Sequence, residues 1–234
     1  MARELARLSI DAIFSYAGRT DRPVPQPLPT RVGGFGGAAG LADFLRLEGI
    51  THVIDATHPF AAGMSNNAHT ACIENDIPLI RFERPAWQPQ PGDDWTEVAD
   101  IAALPAALPD SPASIFLAIG KQSLALFSVK PHHRYLLRLV DAPTEPLPLP
   151  RCTIVLARGP FDLAADTALM REHHITHVVA KNAGGSGARA KLDAARALGL
   201  PVIMAARPRL PDNTIASDPT QVLHWLHHCA LRGV

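Results

Sequence analysis

A chain of 234 residues, 47% of them hydrophobic, has the apolar material for one large or two small buried cores. Lysine plus arginine equals aspartate plus glutamate at 22 each, so no net field draws the chain to nucleic acid or to an anionic membrane, and any anion must be bound locally. Three widely spaced cysteines, Cys72, Cys152 and Cys229, form neither a disulfide framework nor a Cys-x-x-Cys metal pair; with no apolar stretch near the ~20 residues of a membrane span and no signal-peptide core, they suit a soluble cytoplasmic protein.

In chain order, Ala12-Ile13-Phe14-Ser15-Tyr16 reads as a strand of the first half, at the place of the second strand of a dinucleotide fold. Arg31-Val32-Gly33-Gly34-Phe35-Gly36-Gly37 then leads into a helix with Leu41, Phe44 and Leu45 on one face. Ile50-Thr51-His52-Val53-Ile54 follows as a buried strand running into the polar loop Asp55 to Pro59, and a helix starts near Pro59. Ile77-Pro78-Leu79-Ile80 is the next strand, stopped at Arg84-Pro85.

The same grammar returns. After strands at 115–119, 135–139 and 153–156, Pro160-Phe161 opens a helix carrying Leu163, Leu169 and Met170. Ile175-Thr176-His177-Val178-Val179 leads to the polar loop Lys181 to Gly187 and a further helix, and Leu200-Pro201-Val202-Ile203 stops at Arg207-Pro208. Two such halves predict an α/β protein of two doubly wound units with parallel sheets and a cleft between them. Pro109-Asp110-Ser111-Pro112 has linker chemistry, which places the domains at 1–110 and 111–234. Residues 142–150, with four prolines, form a rigid loop inside the second.

Several strand ends carry chemistry. In open α/β sheets ligands bind beyond the carboxyl ends of the strands, which singles out Asp55, Thr57, His58 and Pro59. The alternative is that Asp55 or Thr57 caps the following helix. Four glycines around Phe35 let backbone N–H groups approach a phosphate or flat ring closely, although the spacing is not the Gly-x-Gly-x-x-Gly fingerprint. Arg19, in Ser15-Tyr16-Ala17-Gly18-Arg19-Thr20, stands where an arginine accommodates the 2′-phosphate of NADP, or else is a solvated surface residue.

Lys181-Asn182-Ala183-Gly184-Gly185 suits a carboxylate or phosphate, or is a flexible turn between strand and helix. Gly120-Lys121 and Arg158-Gly159-Pro160-Phe161 end two more strands, and three basic strand ends on one rim favour a polyanionic ligand. Asp141, the acid among them, could give up a proton, or could pair with Arg138 or begin a turn. His224, His227 and His228 beside Cys229 recur at helical spacing, but Leu223, Trp225, Leu226 and Leu231 make an amphipathic helix the simpler reading than a metal site.

Read together, Ser15 to Thr20, Arg31 to Gly37, Asp55 to Ala61, Glu83-Arg84-Pro85-Ala86-Trp87, Arg158 to Phe161 and Lys181 to Gly185 resemble the precorrin-6A reductases of cobalamin biosynthesis over nearly the whole chain. The resemblance implies two Rossmann-like domains and NADPH-dependent reduction of one double bond of a tetrapyrrole, precorrin-6A, to give precorrin-6B. It places Ser15, Arg19, Gly33, Gly34, Phe35, Gly36, Gly37, Thr57, His58, Pro59 and Phe60 along NADPH. Lys121, Arg158, Lys181, Asn182, Gly184 and Gly185 go to the substrate side, with Asp141 the candidate proton source. Members of the family begin with an apolar strand and a Gly-Gly-Thr loop, whereas this chain begins inside the helix that follows; the expectation is that roughly 11 to 15 residues precede Met1, the length of one strand and its loop. Another NADP-dependent oxidoreductase, or a non-catalytic dinucleotide- or tetrapyrrole-binding protein, are the alternatives. No nucleic acid or membrane partner is expected, and the sequence leaves open a monomer or a larger assembly and a metal-free or cobalt-bearing substrate.

Overall fold

The structure is a computed structural model and describes residues 1–18 and 23–231. In chain order its first elements are α1 (Ala2–Arg7), β1 (Phe14–Tyr16), β2 (Thr30–Val32), α2 (Gly37–Leu47), β3 (Val53–Asp55), α3 (Ala62–Glu74), β4 (Leu79–Phe82) and β5 (Trp95–Val98). There follow β6 (Ser114–Ala118), β7 (Arg134–Leu139), β8 (Cys152–Leu156), α4 (Leu163–Glu172), β9 (His177–Lys181), α5 (Ala190–Leu198), β10 (Val202–Ala205), β11 (Thr214–Ala216) and α6 (Pro219–Leu231). The 3-10 segments Pro105–Ala107 and Lys121–Val129 flank β6. Every strand pairing among the described residues is parallel, as the alternation of strands and helices predicts.

The chain divides into two compact units, one of Met1–Arg84 with Arg209–Val234 and the other of Pro85–Pro208. This differs from a cut at residue 110, and the pairing explains why. β5 lies beside β10 in the second unit, and β11 returns to β4 in the first. The Pro109–Pro112 stretch lies within the second unit, where Asp110 accepts from Lys130 Nζ at 2.6 Å and neighbouring Leu108 is buried.

In the first unit β1 and β2 form one sheet, and β11, β4 and β3 form another in that order. The α2 face of Leu41, Ala42 and Leu45 packs on Ala68, Ala71 and Cys72 of α3, the apolar stripe expected of a sheet-covering helix. Ile80 of β4 packs with Ala216 and Val222.

The second unit holds a six-stranded sheet in the order β5-β10-β9-β6-β7-β8. Its central strands are apolar on both faces, with Phe116, Val178, Val179 and Ala180 fully buried, as a parallel sheet covered on both sides requires. From β6 the chain steps to β7 and β8, whereas from β9 it steps the opposite way to β10. The loops leaving β6 and β9 therefore diverge, making the topological switch point at which open α/β sheets bind ligands.

Candidate functional site

The glycine segment of the first unit is built around Arg31, whose importance the sequence reading missed. Its Nη1 donates to Ser15 Oγ at 2.9 Å and to the Gly33 carbonyl at 3.1 Å, and its Nη2 donates to the Gly34 carbonyl at 3.2 Å. The guanidinium carbon lies 3.9 Å from the Phe35 ring centroid and 5.1 Å from that of Phe44. One cation thus ties β1, the loop and α2 together, through charge-assisted hydrogen bonds and contact with two aromatic rings. A glycine-rich signature was the only sequence cue, because an arginine in a short strand reads as solvent-facing.

Gly36 caps α2 in the left-handed region at φ 82°, followed by Gly37 at φ 90°. Among the described residues no side chain caps the helix, its first turn holds no acid, and a Cβ built at Gly34, Gly36 or Gly37 meets no atom within 4 Å. N–H groups at the start of an 11-residue helix, uncapped by any described side chain, fit an anionic group such as a dinucleotide phosphate. Arg19, the expected 2′-phosphate partner, lies outside the described residues.

The Asp55 loop has a different use for its first polar group. The buried Asp55 carboxylate accepts from Thr57 N–H at 3.0 Å, from Thr57 Oγ1 at 2.6 Å and from Ser65 Oγ at 2.6 Å, with Arg81 Nε at 4.0 Å. Neither Asp55 nor Thr57 caps α3, which starts three residues after Pro59 with Ala61 at its cap. Asp55 instead pins the loop to Ser65 inside the helix. His58 accepts the Phe60 N–H on Nδ1 at 3.1 Å, and its carbonyl accepts the Ala61 N–H at 2.7 Å. Thr57 and His58 are exposed, Pro59 is buried and Phe60 is half-buried.

In the second unit the three basic residues follow the carboxyl ends of parallel strands, Lys121 after β6, Arg158 after β8 and Lys181 closing β9. The parallel sheet puts them on one edge, and Lys121 and Lys181 flank the switch point. Lys121 is exposed, whereas burial pushes the Lys181 ammonium below the ordinary lysine range. Asp141, after β7, stands 3.7 Å from Arg158 Nη2, with side-chain exposures of 32% and 47% that leave both accessible. Arg138, an alternative partner for Asp141, pairs instead with Asp166 of α4.

Asn182, Gly184 and Gly185 were expected beside the substrate, but local packing occupies them. Buried Asn182 accepts the Trp87 N–H on Oδ1 at 2.7 Å and donates from Nδ2 to the Trp87 carbonyl at 3.0 Å. The indole Nε1 of Trp87 donates to the Gly185 carbonyl at 2.7 Å. Gly184 sits at φ 68°, and a Cβ there would overlap the Pro85 carbonyl oxygen. The two motifs around Trp87 and Asn182 are halves of one clasp. On α6, His224 and His228 bring their Nε2 atoms to 2.8 Å, and no group of three or more metal-ligating side chains forms among the described residues.

Comparison with known proteins adds what geometry alone leaves general. A match to the precorrin-6x reductase CbiJ/CobK family covers residues 1–227. The chain belongs to the precorrin-6x reductase family. It is similar to the precorrin-6A reductase of Rhodobacter capsulatus, at 59% identity over 100% of this chain and 94% of that protein. A cobalt-precorrin-6A reductase of Priestia megaterium is 33% identical over 80% of this chain and 76% of its own length. A solved structure, a CobK precorrin-6A reductase, superposes with a TM-score of 0.94 at 59% identity, covering 97% of this chain and 90% of that one. As a family member the chain is a reductase of cobalamin biosynthesis, and its paired α/β units are the fold of that structure.

Proposed function

We propose that this chain reduces one double bond of the precorrin-6A macrocycle, giving precorrin-6B, with NADPH as the reductant. The observation that carries this reading is full-length similarity to a precorrin-6A reductase at 59% identity. Similarity to a relative named for the metal-free substrate exceeds that to the cobalt-precorrin reductase, 59% against 33%, which favours a metal-free ring.

NADPH, when bound, supplies the hydride. The protein binds, orients and protonates. In the first unit the amides of Gly33, Gly34, Phe35, Gly36 and Gly37, organised by Arg31 on Ser15, receive the cofactor's anionic part. Thr57, His58, Pro59 and Phe60 line it, and Arg19 takes the 2′-phosphate. In the second unit Lys121, Arg158 and Lys181 hold carboxylates of the tetrapyrrole, and Asp141 delivers a proton to the ring carbon beside the one reduced. Asn182, Gly184 and Gly185 shape that edge through Trp87 rather than by contact. Three free cysteines, and no helix among the described residues long and apolar enough to cross a membrane, are compatible with a cytoplasmic enzyme.

Anaerobic incubation with NADPH and precorrin-6A tests the reading. Oxidation of NADPH with a two-hydrogen mass gain in the product is expected, and binding without turnover refutes it. Arg19→Ala should weaken NADPH far more than NADH, and equal losses for both would remove the 2′-phosphate assignment. Asp141→Asn should lower kcat roughly 100-fold with little change in KM. An unchanged kcat would eliminate Asp141 as the proton source.

A further inference from the structure

Beneath the loop that carries Arg158 lies a buried charged cluster. Arg138 of β7 forms a two-pronged pair with Asp166 of α4, Nη1 to Oδ1 and Nη2 to Oδ2, the second at 3.4 Å. The side chains are 9% and 2% exposed, so the pair is largely shielded from solvent. The guanidinium carbon also lies 3.6 Å from the ring centroid of Phe161 and 5.1 Å from that of Phe116 in β6. Phe161 is three residues beyond Arg158, and its ring folds back on the loop, since a Cβ built at Gly159 would stand 3.3 Å from Phe161 Cε2.

A buried ion pair is a poor source of stability, because apolar residues of similar volume do as well or better. What the guanidinium offers that apolar residues do not is a flat, permanently charged face on which an aromatic ring stacks. Lys191 of α5 is the second buried cation here. Its Nζ donates to the Ala188 carbonyl and lies 4.7 Å from the Trp87 ring centroid. Burial, and then the Arg138 charge, push its ammonium down to about 7.

We infer that Arg138 is a positioning residue for substrate binding: locked to Asp166, its guanidinium seats the Phe161 ring and so fixes where the loop presents Arg158 to a substrate carboxylate. The inference rests on the assignment of Arg158 to the carboxylate-bearing substrate. Asp166 sets the guanidinium plane, the plane sets the ring, and the ring sets the loop through Pro160 and Gly159. A lysine at 138 would keep the charge but lose the plane.

Steady-state kinetics on the full chain tests this with Arg158→Ala, Phe161→Leu, Phe161→Tyr, Arg138→Lys and the double variant Arg158→Ala/Phe161→Leu. Phe161→Leu leaves the buried ion pair intact, so it keeps the test alive if Arg138→Lys fails to fold. Arg158→Ala should raise KM for precorrin-6A about tenfold, the scale of one lost charge-assisted hydrogen bond. Phe161→Leu and Arg138→Lys should raise it comparably, with kcat and the KM for NADPH little changed. Phe161→Tyr should restore the parent KM, and the double variant should be no worse than Arg158→Ala alone. If Arg158→Ala raises KM but Phe161→Leu or a folded Arg138→Lys does not, or if the effects multiply in the double variant, the positioning role is overturned while the Arg158 assignment stands. If Arg158→Ala leaves KM unchanged, the assignment fails and this inference fails with it.

Discussion

A methyl group at Gly40 would overlap the Phe35 carbonyl oxygen, because the glycine loop closes directly over the first turn of α2. Gly40 lies outside the Gly33–Gly37 cluster that drew attention in the sequence, yet it alone among the glycines of this loop and helix is closed to a side chain by backbone. Gly40→Ala should therefore cost ~1–3 kcal/mol, the scale of overpacking in a confined site, and weaken NADPH together with stability. Gly34→Ala, where a Cβ meets nothing within 4 Å, is the control and should leave Tm nearly unchanged. Thermal melts with and without NADPH read both, and a Gly40→Ala protein with the parent Tm would show that the loop yields. The glycines were legible because few other functions explain four of them within five residues. Arg31 was not, because its partners Ser15 and Phe44 are brought to it only by the fold.

At the scale of elements, the long apolar strands and the amphipathic helices were legible, and three short strands were not. β2, β5 and β11 are 3, 4 and 3 residues long, and none is a buried apolar run: Thr30-Arg31-Val32, Trp95-Thr96-Glu97-Val98 and Thr214-Ile215-Ala216 carry no strand signal of their own. What makes them strands is the partner. β5 joins β10 and β11 joins β4, in each case across more than 100 residues of chain. The Asn182 loop shows the same limit for sites, since a lysine, an asparagine and glycines after a buried strand suit an anion equally well as a clasp. Asn182→Ala separates the two. It leaves the Trp87 N–H and carbonyl without their partner at a residue only 5% exposed, so a loss of ~1–3 kcal/mol per group is expected, with a lower Tm and red-shifted tryptophan emission. A raised KM for the tetrapyrrole with unchanged Tm would instead return Asn182 to the substrate side.

For the whole molecule, the repeat predicted two α/β units correctly, but reading them as consecutive halves misplaced the division. The chain leaves the first unit at Arg84-Pro85 and re-enters it after Pro208, the very Arg-Pro stops that close the repeated strands. Stability against pH is a property of this scale, because buried titrating groups of both units enter the same balance. Burial pushes His52, His133 and His177 below the usual histidine range. The unfolded chain therefore takes up protons first, and stability present above about pH 6.5 is lost on acidification. Lys181 is lowered, and Lys191 more so, to about 7, so their contribution is complete only above the ordinary lysine range and shrinks as pH falls toward 7. Cys72 and Tyr135 have the opposite sign. Pushed up to about 11 and about 12, chiefly by burial and for Cys72 also by the Asp55 charge, they favour the folded state until the unfolded thiol and phenol ionise. The histidine and lysine contributions therefore grow as pH rises, and those of Cys72 and Tyr135 decline once the alkaline range is reached. Lys191→Met keeps the buried stem and removes the ammonium, whose slope is ~1.4 kcal/mol per pH unit where the two states differ by one proton. The variant should melt higher than the parent at pH 7 and converge with it toward pH 10. Scanning fluorimetry of both proteins from pH 5 to 10 measures this, and parallel curves between pH 7 and 9 would mean that Lys191 keeps its proton in the folded state at an ordinary lysine affinity.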